Sequence, residues 1–371
     1  MRRVTQSADI DVLVIGLGPA GASAALTAAS AGKRVVGLDR KKTPGRPVQC
    51  AEFVPALIHS GDAAQRARIQ PIDAMHTFVE TEQADIMPDF PGVMIDRAAF
   101  DARLVEAARQ AGVEIRMGCT IREIHPDGTV RLSTGETLTA RTLIGADGPH
   151  SPVGEAVGHV NRDIIASRQI TVPLLEPHTA TDIFLSDRLP GGYGWLFPKG
   201  DVANIGLGVS DAWRDRLKPE LDKLHARLIR DGRVGTRILA HTGGSIPAGG
   251  MIDPVARLGD VLVLLAGDAA GLTNPITGAG ISAAVMSGTF AGEAAAHWVD
   301  GDSLAPDDYR EDLEDHFGAS LRRASNRRAS ALAAHAEDRA TPDALRRGWI
   351  AYPQYWSNND NREDIHDLLE A

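Results

Sequence analysis

The stretch Ile10–Asp39 constrains the fold more than any other part of the chain. Ile10-Asp11-Val12-Leu13-Val14-Ile15 is apolar and β-branched, the composition of a strand buried on both faces. Gly16-Leu17-Gly18-Pro19-Ala20-Gly21 follows at once, then an alanine-rich helical run that closes at Gly32. Arg34-Val35-Val36-Gly37-Leu38 predicts a second strand, and Asp39 ends it, eighteen residues beyond Gly21. Strand, Gly-x-Gly-x-x-Gly turn, helix, strand and acid in this register define a dinucleotide-binding βαβ unit. In such a unit Gly16 permits the tight turn, Gly18 admits a pyrophosphate, and Gly21 lets the helix pack closely. Pro19 and Ala20 open a helix whose N-terminal N–H groups and dipole attract phosphate. Asp39 suits a ribose 2′-hydroxyl and disfavours a 2′-phosphate, which favours FAD or NAD over NADP.

Two further buried strands end in glycine–acid turns. Thr142–Gly145 runs into Ala146-Asp147-Gly148, and Val261–Ala266 runs into Gly267-Asp268-Ala269-Ala270-Gly271. Ligands of open parallel sheets bind outside the carboxyl ends of the strands, so three such turns face one extended ligand. NAD has little use for three, whereas FAD continues past its pyrophosphate into a ribityl chain and flavin ring. Gly278-Ala279-Gly280 then opens a long small-residue helix to about His297. N–H donors at its start would meet the negative charge of a reduced flavin.

Between these segments the pattern alternates. A helix is predicted over Ala98–Gln110, with Phe100, Leu104, Ala107 and Ala111 on its apolar face. Short strands are predicted near His76–Val79 and Gly92–Ile95, and a hairpin over Cys119–Ala140 turning at Asp127-Gly128. From about Asp163 the texture becomes strand-rich: Ile164–Leu174, Thr181–Ser186, Tyr193–Pro198, Ala203–Val209 and Ile238–Ile246, with a helix over Pro219–Asp231. The fold class is therefore α/β: a Rossmann-like FAD-binding domain with a parallel sheet, an inserted and mostly antiparallel substrate domain, and a C-terminal helical region. The expected boundaries are 8–75, 92–162 and 255–300 for the first, 76–91 and 163–254 for the second, and 301–371 for the third.

A formal charge of −10 over 371 residues excludes a nucleic-acid binder, which needs cations to displace counterions. Two cysteines, Cys50 and Cys119, build no disulfide framework and fit a reducing cytoplasmic setting. No apolar run has membrane-span length, and Asp9 and Asp11 interrupt any leader suggested by Arg2 and Arg3, so at most a peripheral membrane contact is expected. None of the twelve histidines shows a His-x-x-x-His spacing, and no metal is expected. Arg322, Arg323, Arg327 and Arg328 spread over about 240° of a helix, which reads as solvated surface.

Three features carry two readings each. In the basic loop after Asp39, Arg40, Lys41, Lys42 and Arg46 either neutralise phosphate or are plain surface charges. Tyr193, Trp195 and Phe197 alternate on one strand face, either as a wall for an apolar or aromatic substrate or as a core stripe. Cys50 is either a catalytic or proton-donating thiol beside the cofactor or an inert buried one.

The three glycine turns resemble the signature set of the para-hydroxybenzoate-hydroxylase-like flavoproteins. Gly192-Tyr193-Gly194-Trp195-Leu196-Phe197-Pro198-Lys199-Gly200, with Val48-Gln49-Cys50-Ala51-Glu52 and Asn274-Pro275-Ile276-Thr277-Gly278-Ala279-Gly280, resembles the geranylgeranyl reductase family. The resemblance spans roughly residues 10 to 325. It implies an FAD-dependent oxidoreductase that saturates C=C bonds of an apolar, prenyl-type substrate, with NAD(P)H or a reduced carrier, including an electron-donor protein, as source of electrons. The alternative on the same scaffold is a monooxygenase of aromatic substrates that uses NAD(P)H and O2; a third reading is a lipid-binding protein that retains FAD without turnover. The resemblance also implies that Gly16, Gly18, Gly21 and Asp39 hold the ADP half, that Arg97 meets the phosphates or ribityl, that Asp147, Gly148, Gly267 and Asp268 support the dinucleotide and ribityl, and that Gly278, Ala279 and Gly280 line the flavin pyrimidine.

Overall fold

In the computed structural model, which describes residues 10–55 and 66–357, strand Ile10–Ile15 is an inner member of a six-stranded sheet. The leader reading of Arg2 and Arg3, and the helical expectation past residue 357, lie outside the described residues. Parallel neighbours Ala140–Gly145 and Val35–Asp39 flank the strand. Val261–Leu265 and Glu114–Met117 extend the parallel sheet on either side, and Val255–Leu258 adds an antiparallel edge. Ile15 is level with Gly145 and Leu38, and Gly145 is level with Leu265. The three strands thus end on one line, and the three glycine–acid turns emerge side by side, outside their carboxyl ends.

Helices Pro19–Ser30 and Ile281–Val299 touch backbone to backbone. A Cβ on Gly288 would stand 2.1 Å from the Ala20 carbonyl oxygen, and one on Gly292 2.5 Å from that of Ala24. That contact explains why both helices are so rich in alanine and glycine. Helix Arg97–Gln110 begins at Asp96, whose side chain accepts from the Ala99 N–H at 2.9 Å, as a cap residue does. It buries Ala98, Phe100, Asp101, Val105 and Ala108. Of the expected apolar face only Phe100 is fully buried, because Asp101 is drawn inward by Arg97, 2.7 Å from its Nε.

The second sheet has eight strands in the order Ala240–Pro247, Ile164–Pro173, Val202–Ser210, Gly194–Lys199, Ala180–Leu185, Arg68–Val79, Asp85–Ile95 and Phe53–Pro55. Its pairs are antiparallel except Ala180–Leu185 with Arg68–Val79. The first strand pair is longer than the expected 76–91, because residues 68–75 and 92–95 also pair within this sheet. Helix Leu217–Arg230 covers one face of the sheet. The section 119–140 is a three-stranded meander rather than a simple hairpin.

The chain after residue 304 is helical, as expected, in Ala305–Leu313, Glu314–Gly318, Ala319–Ala336, Pro342–Arg347 and Pro353–Trp356. Arg323 and Arg328 correct the solvated reading, whereas Arg322 is exposed as expected. Arg328 is 2% exposed and donates to both carboxylate oxygens of Asp163, at 3.1 and 3.2 Å, and Arg323 is buried as well. A buried guanidinium is tolerated only with such a partner. Among the described residues, no helix is long and apolar enough to cross a membrane.

Candidate active site

A cavity of about 1400 Å³ joins the two sheets, larger than the roughly 300–1,000 Å³ of pockets for drug-sized ligands. All three turns open into it, through Gly16, Gly18, Pro19, Ala20, Asp147, Gly148 and Asp268, as do Asp39 and Arg40. The glycines of the first turn separate by cause. At Gly16 φ is +89° and a Cβ would stand 2.3 Å from the Ala146 carbonyl oxygen; at Gly21 it would stand 1.8 Å from that of Gly16. Both are demanded by the protein itself. Gly18 is not: its φ of −72° suits any residue, and a Cβ there would meet nothing within 4 Å. Open space beside a glycine at the N-cap of an uncapped helix is a cradle for a phosphate. At the start of Ile281–Val299 no side chain caps the helix either, and Gly278, Ala279 and Gly280 line the cavity, but a Cβ on Gly280 would stand 2.4 Å from the Thr273 hydroxyl oxygen, so that glycine is demanded by the protein.

The acids on the wall are partly satisfied. Asp39 accepts from the N–H groups of Leu17 and Lys41 at 2.8 and 2.7 Å, leaving lone pairs for a hydroxyl donor. Asp268 accepts from the Thr273 hydroxyl at 2.6 Å; burial pushes its carboxyl up, opposed by that bond and the charge of Arg97. Asp147 accepts from the Ser151 hydroxyl and the Val153 N–H, and burial pushes it up to about 6. Sugar and ribityl hydroxyls are donors that such carboxylates take, so the site fits FAD. Gly21, Arg46 and Gly267 do not line the cavity. Gly21 lies behind the turn, Gly267 packs against Ala20 and Ala284, and Arg46 is exposed.

Arg97 lies at the junction. Burial would lower its pKa, but Asp101 and the Cys50 thiol face the guanidinium and hold its charge. Cys50 is half-buried on the cavity wall, and its Sγ accepts from the Glu52 N–H at 3.2 Å. The loop carrying it is fixed by Glu52, a residue absent from the expected site. Glu52 is buried at φ +69°, a region glutamate rarely adopts. Its carboxylate accepts from Lys199 Nζ at 2.6 Å, Asn204 Nδ2 at 3.2 Å and the Arg97 N–H at 3.0 Å. One carboxylate therefore ties the helix bearing Arg97 to two strands of the second sheet. Gln169, also unexpected, donates to the Cys50 carbonyl at 3.2 Å and accepts from Trp195 Nε1 at 2.9 Å.

Tyr193, Trp195 and Phe197 all face the cavity, as alternation on a strand requires, and Trp195 and Phe197 are also nearly inaccessible. Their rings run in series at 5.7 and 6.1 Å, and Phe53 packs on Phe197 at 5.6 Å. Wall and core are here the same layer. The Tyr193 hydroxyl donates to the Thr277 carbonyl at 2.6 Å, tying this wall to the glycine turn at 278–280.

On the opposite face of the second sheet His76, His178 and Asp182 converge, with ligand atoms within 4.8 Å of one another. Helical histidine spacings could not show this, because strand pairing brings them together. Arg233 pairs with the second oxygen of Asp182, so the buried carboxylate already has its countercharge; we read the group as an ion-pair network. Burial would raise the Asp182 carboxyl, but hydrogen bonds from His178 and His76 and the charge of Arg233 hold it down to about 2. Its contribution, about 2 kcal/mol, is complete above the ordinary range near pH 4 and is lost as pH falls toward 2. Denaturant unfolding followed from pH 5 to 2 is expected to show this loss, and Asp182→Asn should flatten it.

The fold and cavity define the class: an FAD-binding oxidoreductase with an apolar, aromatic-walled compartment beside the cofactor turns. The family model "FAD binding domain" matches residues 9–182, and "Geranylgeranyl reductase catalytic domain" matches 164–245. Digeranylgeranylglycerophospholipid reductase 1 of Methanopyrus kandleri is 32% identical over 340 residues, covering 83% of this chain and 88% of the relative. The protein of that name from Methanococcoides burtonii is 31% identical over 329 residues, covering 82% and 77%. The chain belongs to the geranylgeranyl reductase family and is an FAD-dependent reductase. Among solved structures, a geranylgeranyl bacteriochlorophyll reductase-like protein from Thermoplasma acidophilum matches with a TM-score of 0.78 at 23% identity, over 96% of this chain and 98% of that one. P. aeruginosa PqsL matches at 0.68 and 18%, over 91% and 99%. These two likenesses show the shared fold.

Proposed function

We propose that the enzyme saturates C=C bonds in the geranylgeranyl chains of a prenylated glycerophospholipid, drawing electrons from NAD(P)H or a reduced carrier protein. The observation that carries this reading is the continuous cavity from the phosphate-binding turns to the aromatic wall of Tyr193, Trp195 and Phe197. When bound, FAD supplies the hydride that adds to one alkene carbon. Gly18 and the two helix N-termini receive its phosphates and charge, and Asp39, Asp147 and Asp268 accept from its hydroxyls. The aromatic wall excludes water and holds the chain in contact. Cys50 holds a proton at Sγ for the second alkene carbon, and Arg97 carries the countercharge of the thiolate left behind.

The test is anaerobic. Flavin reduced without oxygen should be reoxidised by geranylgeranyl lipid, yielding saturated product; reoxidation only after O2 is admitted would overturn the reading. Cys50→Ser should slow this step by about ten- to a hundredfold, in keeping with general acid catalysis, while flavin reduction by the donor continues at the parental rate. Parental turnover in Cys50→Ser would remove the thiol from the chemistry.

A further inference from the structure

The segment 342–357 crosses the substrate side of the cavity as a strap, beyond the residues matched by either family model. Its outer face is anchored at several points. Arg346 pairs with Glu82 and Asp85, and the Tyr352 hydroxyl donates to Asp85 at 2.7 Å. Arg327 donates to the carbonyls of Gln354, Tyr355 and Ser357 at 3.0–3.1 Å, which closes the last helical turn. Trp356 Nε1 donates to the Ile350 carbonyl at 2.8 Å. The strap thus joins the turn between strands Arg68–Val79 and Asp85–Ile95 to helix Ala319–Ala336.

Its inner face belongs to the cavity. Trp349 and Ile350 are 3% and 8% exposed, and both line the wall. The Trp349 ring lies 4.7 Å from that of Tyr193, whose hydroxyl is bound to the turn before Gly278. Trp349 Nε1 is buried with no hydrogen-bond partner among the described residues. No polar contact holds this indole in place; its role at the wall is that of a large apolar plate.

We infer that Trp349, backed by Ile350, is a specificity-determining residue that limits the length of isoprenoid chain the cavity accepts. This rests on the prenyl reading of the site and deepens it. Trp349 stands at one end of the ring series Phe53, Phe197, Trp195, Tyr193 and Trp349, so removing the indole opens space there while the anchors of the strap, Arg346, Tyr352 and Arg327, stay in place. Phenylalanine at this position keeps a smaller ring against Tyr193 and removes the unpaired N–H, so Trp349→Phe should fold and open less space than Trp349→Ala.

The experiment uses the FAD-loaded enzyme and prenyl diphosphates of four, five and six isoprene units, read as anaerobic flavin reoxidation. Trp349→Ala should shift the ratio of kcat/KM for the longest over the shortest by about tenfold or more toward the longest, and Trp349→Phe should shift it by less in the same direction. If the alanine variant does not fold, Trp349→Leu and Ile350→Ala should each give a smaller shift in the same direction. A second measurement is independent of turnover: binding of fully saturated prenyl alcohols of the same lengths, read as perturbation of the oxidised flavin spectrum. An unchanged length preference in folded, FAD-loaded Trp349→Ala by both readouts would overturn the inference. A shifted binding preference with no reoxidation by any alkene would uphold the strap's role and sink the prenyl reductase reading instead.

Discussion

Gly18→Val is expected to purify as folded, colourless protein, with affinity for FAD reduced by at least about a hundredfold. The backbone at Gly18 already has a φ that valine adopts, and nothing of the protein lies within 4 Å of a Cβ there. The cost therefore falls on the ligand, whose pyrophosphate would meet a branched side chain in place of a backbone surface. Far-ultraviolet circular dichroism should match the parent, and the flavin absorbance should be missing. Gly16→Ala and Gly21→Ala form the contrast, since each drives a Cβ into a carbonyl oxygen and should lower stability directly. A yellow, fully loaded Gly18→Val protein would mean that phosphate does not approach this turn.

Glu52→Ala should be the most damaging single change outside the turns, lowering stability by about 3–5 kcal/mol. It leaves the Lys199 ammonium in a poorly hydrated position, frees Asn204, and removes the acceptor of the Arg97 N–H. The denaturant midpoint reports the loss. Combining Glu52→Gln with Lys199→Met removes the unpaired charge and should recover most of the stability, because an apolar replacement of a buried pair is often close to neutral. If Glu52→Ala unfolds at the parental midpoint, the left-handed loop at Glu52 is held by its backbone alone.

The parallel sheet and its turns were legible because their signals are local. Strand periodicity, glycine spacing and the terminal acid of Ile10–Asp39 all lie within thirty residues. The alternating aromatics at 193–197 were legible for the same reason. Glu52 was not, since its partner Lys199 is 147 residues away and nothing near Cys50 marks a carboxylate as buried. Arg328 read as surface because charge pattern alone says so, and only Asp163, 165 residues distant, makes its burial tolerable. The convergence of His76, His178 and Asp182 depends on two strands pairing in parallel, which no spacing rule within one segment encodes. Trp349 and Ile350 reach the cavity through a return of the chain end, with no periodic signal to announce it.

The backbone contact of Gly288 and Gly292 with helix Pro19–Ser30 has a consequence for cofactor choice. One of these helices begins at the Gly16–Gly21 turn and the other at Gly280, so two positive N-terminal ends are held in one rigid frame. The frame acts as a caliper. A ligand that satisfies both ends must span their fixed separation with phosphate at one end and a flavin ring at the other, so riboflavin, which lacks the phosphate, can reach only one jaw. Discrimination by length is therefore built in before any ligand arrives, and FAD binds without the entropy loss of bringing the jaws together.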